Sequence, residues 1–393
     1  MKNLKLFSII VLSALITISC AKPTLKSAYK NDFLIGVAIN TDISSEKDLQ
    51  SAEIVKQHFS SVVAENCMKS GLIQPAEGQF FWDDADRFVQ FGVDNKMAII
   101  GHCLVWHSQA PNWFFSDSIH NGVLQRVLVD SLIKANAPRE VFNELLKDYD
   151  VSRDVLIERM KTHIYTIMSR YKGKIKGYDV VNEAVNDDGT LRNSKFLQII
   201  GEDYLTLAYK FAHEADPNAE LYYNDYSMAI PTKRDGVVRL IKNLQNEGIK
   251  ITAIGMQGHI GLDYPEFEEF EKSLVAFTDL GCKVNITEFD INVLPTKQNF
   301  GADVSASLEY QQELNPYTEA LPDSVYQKLE NRYLQFFGLF KKYADKIDRV
   351  TLWGVDDGSS WLNDYPVRGR TNYPLLFDRN HQAKPIVDKL IKL

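Results

Sequence analysis

Residues 154–183, DVLIERMKTHIYTIMSRYKGKIKGYDVVNE, place a helix pattern directly before a strand pattern. Ile157, Met160, Ile164, Ile167, Met168 and Tyr171 recur at three- and four-residue spacing, so one face of a helix over 154–171 is apolar. After Gly173 the chain turns to Gly177-Tyr178-Asp179-Val180-Val181-Asn182-Glu183, a short apolar run closing on two polar residues. That length and that ending fit a buried strand of a parallel sheet.

The same alternation extends in both directions. Strand-length apolar runs occur at 33–40, 60–66, 98–106, 177–183, 220–225, 251–259, 283–290 and 349–355. Amphipathic stretches lie between them, such as 232–248, which reads as a helix opening on a capping Thr232 and closing at Gly248. Eight alternating units predict an α/β protein, a single (β/α)₈ TIM barrel. A doubly wound open sheet would want a Gly-rich phosphate loop after an early strand, and the sequence has none. Two connections exceed what a barrel needs, from Ser108 to about Arg153 and from Ile291 to about Val325. These extended loops follow the third and seventh strands, on the rim where such barrels place their active sites.

The chain begins with Met1-Lys2-Asn3-Leu4-Lys5 and an apolar run from Leu6 to Ile18, then Ser19-Cys20. A basic start and a short apolar stretch read as an export signal over 1–19, too short to span a bilayer. The cysteine after a small residue reads as a lipoprotein signal, which would make Cys20 the lipidated N-terminus; an ordinary secretory signal is the alternative. The expected layout is a signal at 1–19, a tether at 20–30 and a catalytic barrel at 31–393. The protein would be exported and held on a membrane, periplasmic or at the cell surface, only through the lipid on Cys20.

With 44 basic and 52 acidic residues the formal charge is −8. Loss of Lys2 and Lys5 with the signal takes it to −10, and a mildly acidic body without a basic run argues against a nucleic-acid partner. Beyond Cys20 only Cys67, Cys103 and Cys282 remain, an odd number that predicts buried free thiols rather than a disulfide framework. No Cys/His cluster has zinc-ligand spacing, so neither a metal nor a cofactor is expected.

Polar and aromatic side chains gather at the ends of the strand patterns. They include Glu65, Asn66 and Lys69; His102, Trp106 and His107; Asn182 and Glu183; Asn224, Asp225 and Tyr226; Gln257 and His259; Glu288 and Asp290; then Trp353 and Trp361. Glu183 and Glu288 each end such a run, in Asp179-Val180-Val181-Asn182-Glu183 and Asn285-Ile286-Thr287-Glu288-Phe289-Asp290. Two carboxylates on a rigid scaffold are what acetal cleavage needs, one held protonated for the leaving oxygen and one held ionised. Residues two apart on a strand face the same way, so Gln257 with His259, and Glu288 with Asp290, should share the barrel-interior face, and the neighbouring strands then put His259 beside both acids. An imidazole between two acids would keep Glu288 ionised. His102 and His107, five apart, fall on opposite strand faces, against a metal site; His102 reads as a hydroxyl contact and His107 as that or as structural. Trp353 and Trp361 read as apolar surfaces for a pyranose ring.

The stretches Glu65-Asn66-Cys67-Met68-Lys69, Gly101-His102 to Trp106-His107-Ser108-Gln109, Asp179 to Glu183, Gln257-Gly258-His259, Ile286 to Asp290 and Trp353-Gly354-Val355 together resemble glycoside hydrolase family 10. The likeness covers essentially the whole chain beyond the signal. It implies a retaining endo-β-1,4-xylanase acting on xylan or xylo-oligosaccharides, and a monomer is the separate expectation for its assembly. It also implies Glu183 as acid/base, Glu288 as nucleophile, and carboxyl groups roughly 5–5.5 Å apart. By the same resemblance Asn182 would bind the 2-hydroxyl at the cleavage point, while His259 and Asp290 hold the nucleophile with Gln257 nearby. His102, Trp106 and Trp353 would line the site of the sugar being cleaved. Glu65, Asn66 and Lys69 would bind the next sugar toward the non-reducing end, and Tyr226 and Trp361 would shape the groove. The chain departs from the family at Ser70, commonly tryptophan, at Leu362, frequently basic, and in its longer third connection. The same chemistry on another β-1,4-glycan, or a glycan-binding barrel without catalysis, are the rival readings.

Overall fold

The computed structural model describes residues 22–116, 149–295 and 311–393, with 127–128, 130–132, 134–135 and 141 between them. The apolar leader, Cys20 and much of both long connections lie outside the described residues.

Among the described residues nine parallel strands make one sheet: β1 (Leu34–Ile39), β2 (Ser61–Ala64), β3 (Ala98–Trp106), β4 (Gly177–Asn182), β5 (Glu220–Asp225), β6 (Ala253–Met256), β7 (His259–Gly261), β8 (Lys283–Asn292) and β9 (Ile347–Leu352). Pairing runs β6-β5-β4-β3-β2-β1-β9-β8, and β6 also pairs with β8, so the sheet closes on itself. Eight strands form the barrel; β7 is a short continuation of β6, paired to β8 through His259 opposite Asp290. This is the (β/α)₈ barrel that the alternating pattern predicts.

The strand expected over 251–259 is broken. Gln257 and Gly258 interrupt it, and Gly258 adopts φ 82°, a region that glycine enters without steric cost. The break re-aims the chain, so Gln257 and His259 serve different partners rather than sharing one strand face.

The helix pattern at 154–171 becomes the helix Arg153–Arg170. Ser152 caps it by accepting from the Val155 amide, with Asp154 in its first turn and Arg170 in its last, as the helix dipole favours. Leu156, Met160, Ile164, Ile167 and Met168 are buried on its inner face. The second helix pattern needs correction at its start. It runs Pro231–Asn246 with Ile230 at the cap position, so Thr232 lies inside it, and its hydroxyl donates to the Asp187 carbonyl at 2.5 Å. Proline at the first helical position, with no amide to satisfy, sets the start instead.

The main apolar core lies between strands and helices. Ala38, Val63, Ile100, Tyr222 and Ala253 form a separate cluster with Trp353, and register pairs Ala38 with Val63 and Tyr222 with Ala253. These are the inward layer of a filled barrel, on which the polar strand ends rest. Below them a Cβ on Gly36 would lie 2.4 Å from Ser61 Oγ and 2.7 Å from Thr351 Oγ1, so only glycine fits that approach. Cys67, Cys103 and Cys282 are free and buried. Among the described residues no helix is long and apolar enough to cross a membrane.

Candidate active site

Backbone hydrogen bonds carry the sheet past the strand ends and fix the rim. The Glu183 amide donates to the Asn224 carbonyl (2.9 Å), the Gln257 amide to that of Asp225 (3.0 Å), and the Glu288 amide to that of Gln257 (2.7 Å). Glu183, one residue beyond β4, and Glu288, within β8, thus face one cleft across two intervening strands.

Those two strands cross-brace the carboxylates. Asn224 of β5, next to Glu183 in the sheet, donates through Nδ2 to Glu288 Oε1 at 2.8 Å. Gln257, which follows β6 next to Glu288, donates through Nε2 to Glu183 Oε1 at 3.0 Å. Each carboxylate is therefore positioned from the neighbour of the other. Thr287 orients Asn224 by donating to its Oδ1 at 2.6 Å, and Asn224 Nδ2 also reaches Asn182 Oδ1 at 2.9 Å.

The two glutamates are each 5% exposed, yet their protonation is biased in opposite directions. Burial pushes the Glu183 carboxyl up to about 7, the charge of Asp225 adds to this, and Glu288 contributes further; donors from Gln257 and Trp106 only partly offset it. The Trp106 indole donates to Glu183 Oε2 at 2.7 Å. Burial would raise Glu288 too, but the hydrogen bond from His259, attraction to His102 and His259, and the Asn224 amide hold it below the usual carboxylate range. His259 sits 3.1 Å from Glu288 Oε2 through Nε2 and 3.0 Å from Asp290 Oδ2 through Nδ1. Burial disfavours its charge, but Asp290 and then Glu288 outweigh that and raise it to about 10. The proton of this triad belongs to the imidazole, and Glu288 is the anion.

Around the pair lies a cleft of about 210 Å³ lined by Glu65, Asn66, Lys69, His102, Trp106, Gln109, Asn182, Trp353 and Trp361 as well as the glutamates, Gln257 and His259. Lys69 donates to Asn66 Oδ1 (3.0 Å), Asn66 donates to Glu65 Oε1 (3.1 Å), and the Lys69 ammonium lies 5.2 Å from the Trp106 ring centroid. His102 faces Asp179 Oδ2 at 2.9 Å with the Trp353 ring edge-on at 5.4 Å. Trp361 donates from its indole to Asp290 Oδ2 at 2.8 Å and stacks on Tyr365, so it also braces the His259–Asp290 pair. A second cavity adjoins across Gln257 and His259, bounded by Asp187, Met228, Ile230, Asp263, Tyr264 and Glu269.

Tyr226, expected at the groove, does not line this cleft; Lys233 Nζ lies 3.6 Å from its ring centroid and Arg192 sits against its hydroxyl. Asn224, Asp225, Arg192 and Gln109 belong to the site although the sequence does not assign them roles. An Asn-Asp pair at a strand's C-terminal end was the available signal for the first two. Among the described residues no three His, Cys, Asp or Glu side chains converge as a metal would require.

Two oppositely biased, buried carboxylates at the C-terminal rim of a (β/α)₈ barrel define a glycoside hydrolase. The family model for glycosyl hydrolase family 10 matches residues 24–393, and the chain belongs to that family. It is 47% identical over 373 residues to endo-1,4-beta-xylanase A of Xylanibacter ruminicola, covering 95% of this chain and 94% of that one. With the endo-1,4-beta-xylanase of Geobacillus stearothermophilus it shares 37% identity over 377 residues, 94% of this chain and 98% of that one. A family 10 endoxylanase from a sugarcane soil metagenome superposes with a TM-score of 0.83 at 42% identity, covering 94% of this chain and 99% of that one.

Proposed function

We propose that this chain is an endo-1,4-β-xylanase that cleaves xylan by double displacement with retention. The opposite bias of two equally buried glutamates carries the reading. Glu288, ionised beside the His259 imidazolium, attacks the anomeric carbon as Glu183 gives its proton to the departing oxygen. Glu183, now an anion, then takes a proton from water, which releases the sugar from Glu288. Asn182, next to Glu183 in the chain and linked to Glu288 through Asn224, would bind the 2-hydroxyl of the reacting sugar. Glu65, Asn66 and Lys69 offer an acceptor, an amide and a cation to the hydroxyls of the next one. The adjoining cavity beyond His259 gives room for the leaving chain, as cleavage within a polymer requires.

Xylan over cellulose follows from closure at C5. Glucose carries a hydroxymethyl there, and Trp353 and Trp361 would strip water from its hydroxyl without replacing the bond, a loss of about 1–3 kcal/mol or one to two decades in rate. Proton NMR of early xylan digests should show the β-anomer first; an initial α-anomer would refute retention. The ratio of kcat/KM on aryl xylobioside to aryl cellobioside should exceed one, and a ratio at or below one would move the reading to glucan.

A further inference from the structure

Glu183 stands in a backbone conformation that a residue with a side chain adopts only under constraint, φ 57°. The constraint comes from β5. Beyond the Glu183 amide on Asn224, the Ala184 amide donates to the Tyr223 hydroxyl at 3.1 Å and the Val185 amide to Asp225 Oδ2 at 3.3 Å. Tyr223 in turn donates to the same Asp225 oxygen at 2.5 Å. The other oxygen, Oδ1, takes the Tyr226 amide at 2.9 Å and the Lys233 ammonium at 2.9 Å. Asp225 and Lys233 are both 0% exposed. Lys233 also approaches Asp187 Oδ1 at 3.4 Å, four residues past Glu183 on the same connection.

A fully buried ion pair is a poor source of stability, since apolar replacements of the same volume are often neutral or better. This one sits on the segment that holds the proton-donating carboxyl, which gives it another use. We propose that Asp225 and Lys233 are a positioning pair for Glu183, in which Asp225 ties down the strained segment and sets its charge environment while Lys233 limits that charge. The proposal rests on the reading of Glu183 as acid/base.

The groups that face Glu183 are Asp225 from β5, Glu288 from β8, the donors Trp106 from β3 and Gln257 after β6, and Arg192, whose Nε donates to the Glu183 carbonyl at 3.0 Å. Of the carboxylates, Asp225 acts most strongly. Its removal should therefore make Glu183 easier to ionise, and loss of Lys233 should make it harder.

The test is the pH dependence of kcat/KM on an aryl xylobioside with a poor leaving group, which needs the proton. Asp225→Asn should move the basic limb down by about one unit and Lys233→Met should move it up. Damage to the fold would not shift the two variants in opposite directions. Where circular dichroism shows a single variant unfolded, the charge-free double variant D225N/K233M replaces it, with a limb below that of the unsubstituted enzyme. Limbs that stay in place in folded variants would overturn the proposal. Glu183→Ala separates the two levels. If it is no more impaired on poor than on good leaving groups and azide does not restore it, the acid/base reading itself fails. If it behaves as an acid/base variant while the pair variants leave the limb unmoved, only the pair proposal fails.

Discussion

The ends of β4 and β8 put the same functional group at the same depth and give it opposite character. Glu183 and Glu288 are equally buried, so desolvation, which favours the neutral acid, does not distinguish them. Their partners do. Glu183 meets neutral donors and an anionic neighbour, Asp225, whereas Glu288 meets an imidazole that Asp290 keeps charged. The polarity of the site is therefore written in what surrounds the carboxylates, and through the cross-bracing by Asn224 and Gln257 the strand beside each glutamate holds the other one.

The largest effect that tests this contrast is loss of the anion. Glu288→Ala should lower kcat by more than about 10⁴-fold on every substrate, since no covalent intermediate can form. Appreciable turnover of an activated aryl xylobioside by that variant would break the assignment. Glu183→Ala should differ in kind. It should lose about 10²–10⁴-fold on xylan but keep activity on aryl glycosides whose leaving group needs no proton, with azide accelerating release. Equal losses on both substrate types would erase the distinction between the two ends.

Much of this contrast was legible in the residues themselves. Glu183 and Glu288 stand out because each brings to a strand pattern chemistry a core does not need, and the shared face of Glu288 and Asp290 follows from strand alternation. The strands at 98–106 and 220–225 have the bounds that the sequence predicts. What was not legible depends on strands distant in sequence. The reach of Asn224 to Glu288 and of Gln257 to Glu183 requires the β5–β6–β8 order and register, which closure of the barrel sets. The break at Gln257–Gly258 is hidden within an apolar run that alternates like one strand. Tyr226, a groove residue by family resemblance, does not line the cleft, and its ring lies beneath the Lys233 ammonium.

A smaller test acts on the imidazole. His259→Gln keeps a donor near Glu288 but removes the charge that Asp290 sustains. The Glu288 carboxyl should then rise, and the acid limb of kcat/KM should move to higher pH by about one unit or more. The basic limb, set by Glu183 at about 7, should hold its place. An acid limb that stays put would show that Asn224 and His102 suffice to keep Glu288 ionised against the effect of burial.

The mildest expected effect is on stability, and it has opposite signs at the two ends. Glu183 has a folded pKa of about 7, above the 4.5 it takes unfolded, so the native state holds a proton there that the unfolded state has lost. Stability attributable to Glu183 therefore declines as pH rises from about 4.5 to about 7 and is flat beyond. Glu183→Gln removes that decline, so its advantage over the unsubstituted protein should be larger at pH 8 than at pH 5, by on the order of 2 kcal/mol. Glu288 is the reverse case. Its folded pKa is depressed, so its contribution is complete above the unfolded value and disappears as pH falls through the folded one. Glu288→Gln should therefore destabilise at neutral pH and lose that penalty in acid. Urea midpoints decide the matter, taken at pH 5 and pH 8 for Glu183→Gln and at neutral pH and about pH 3, below the usual carboxylate value, for Glu288→Gln. Two glutamine variants that shift stability the same way with pH would mean that depth, which the carboxylates share, outweighs the partners that distinguish them.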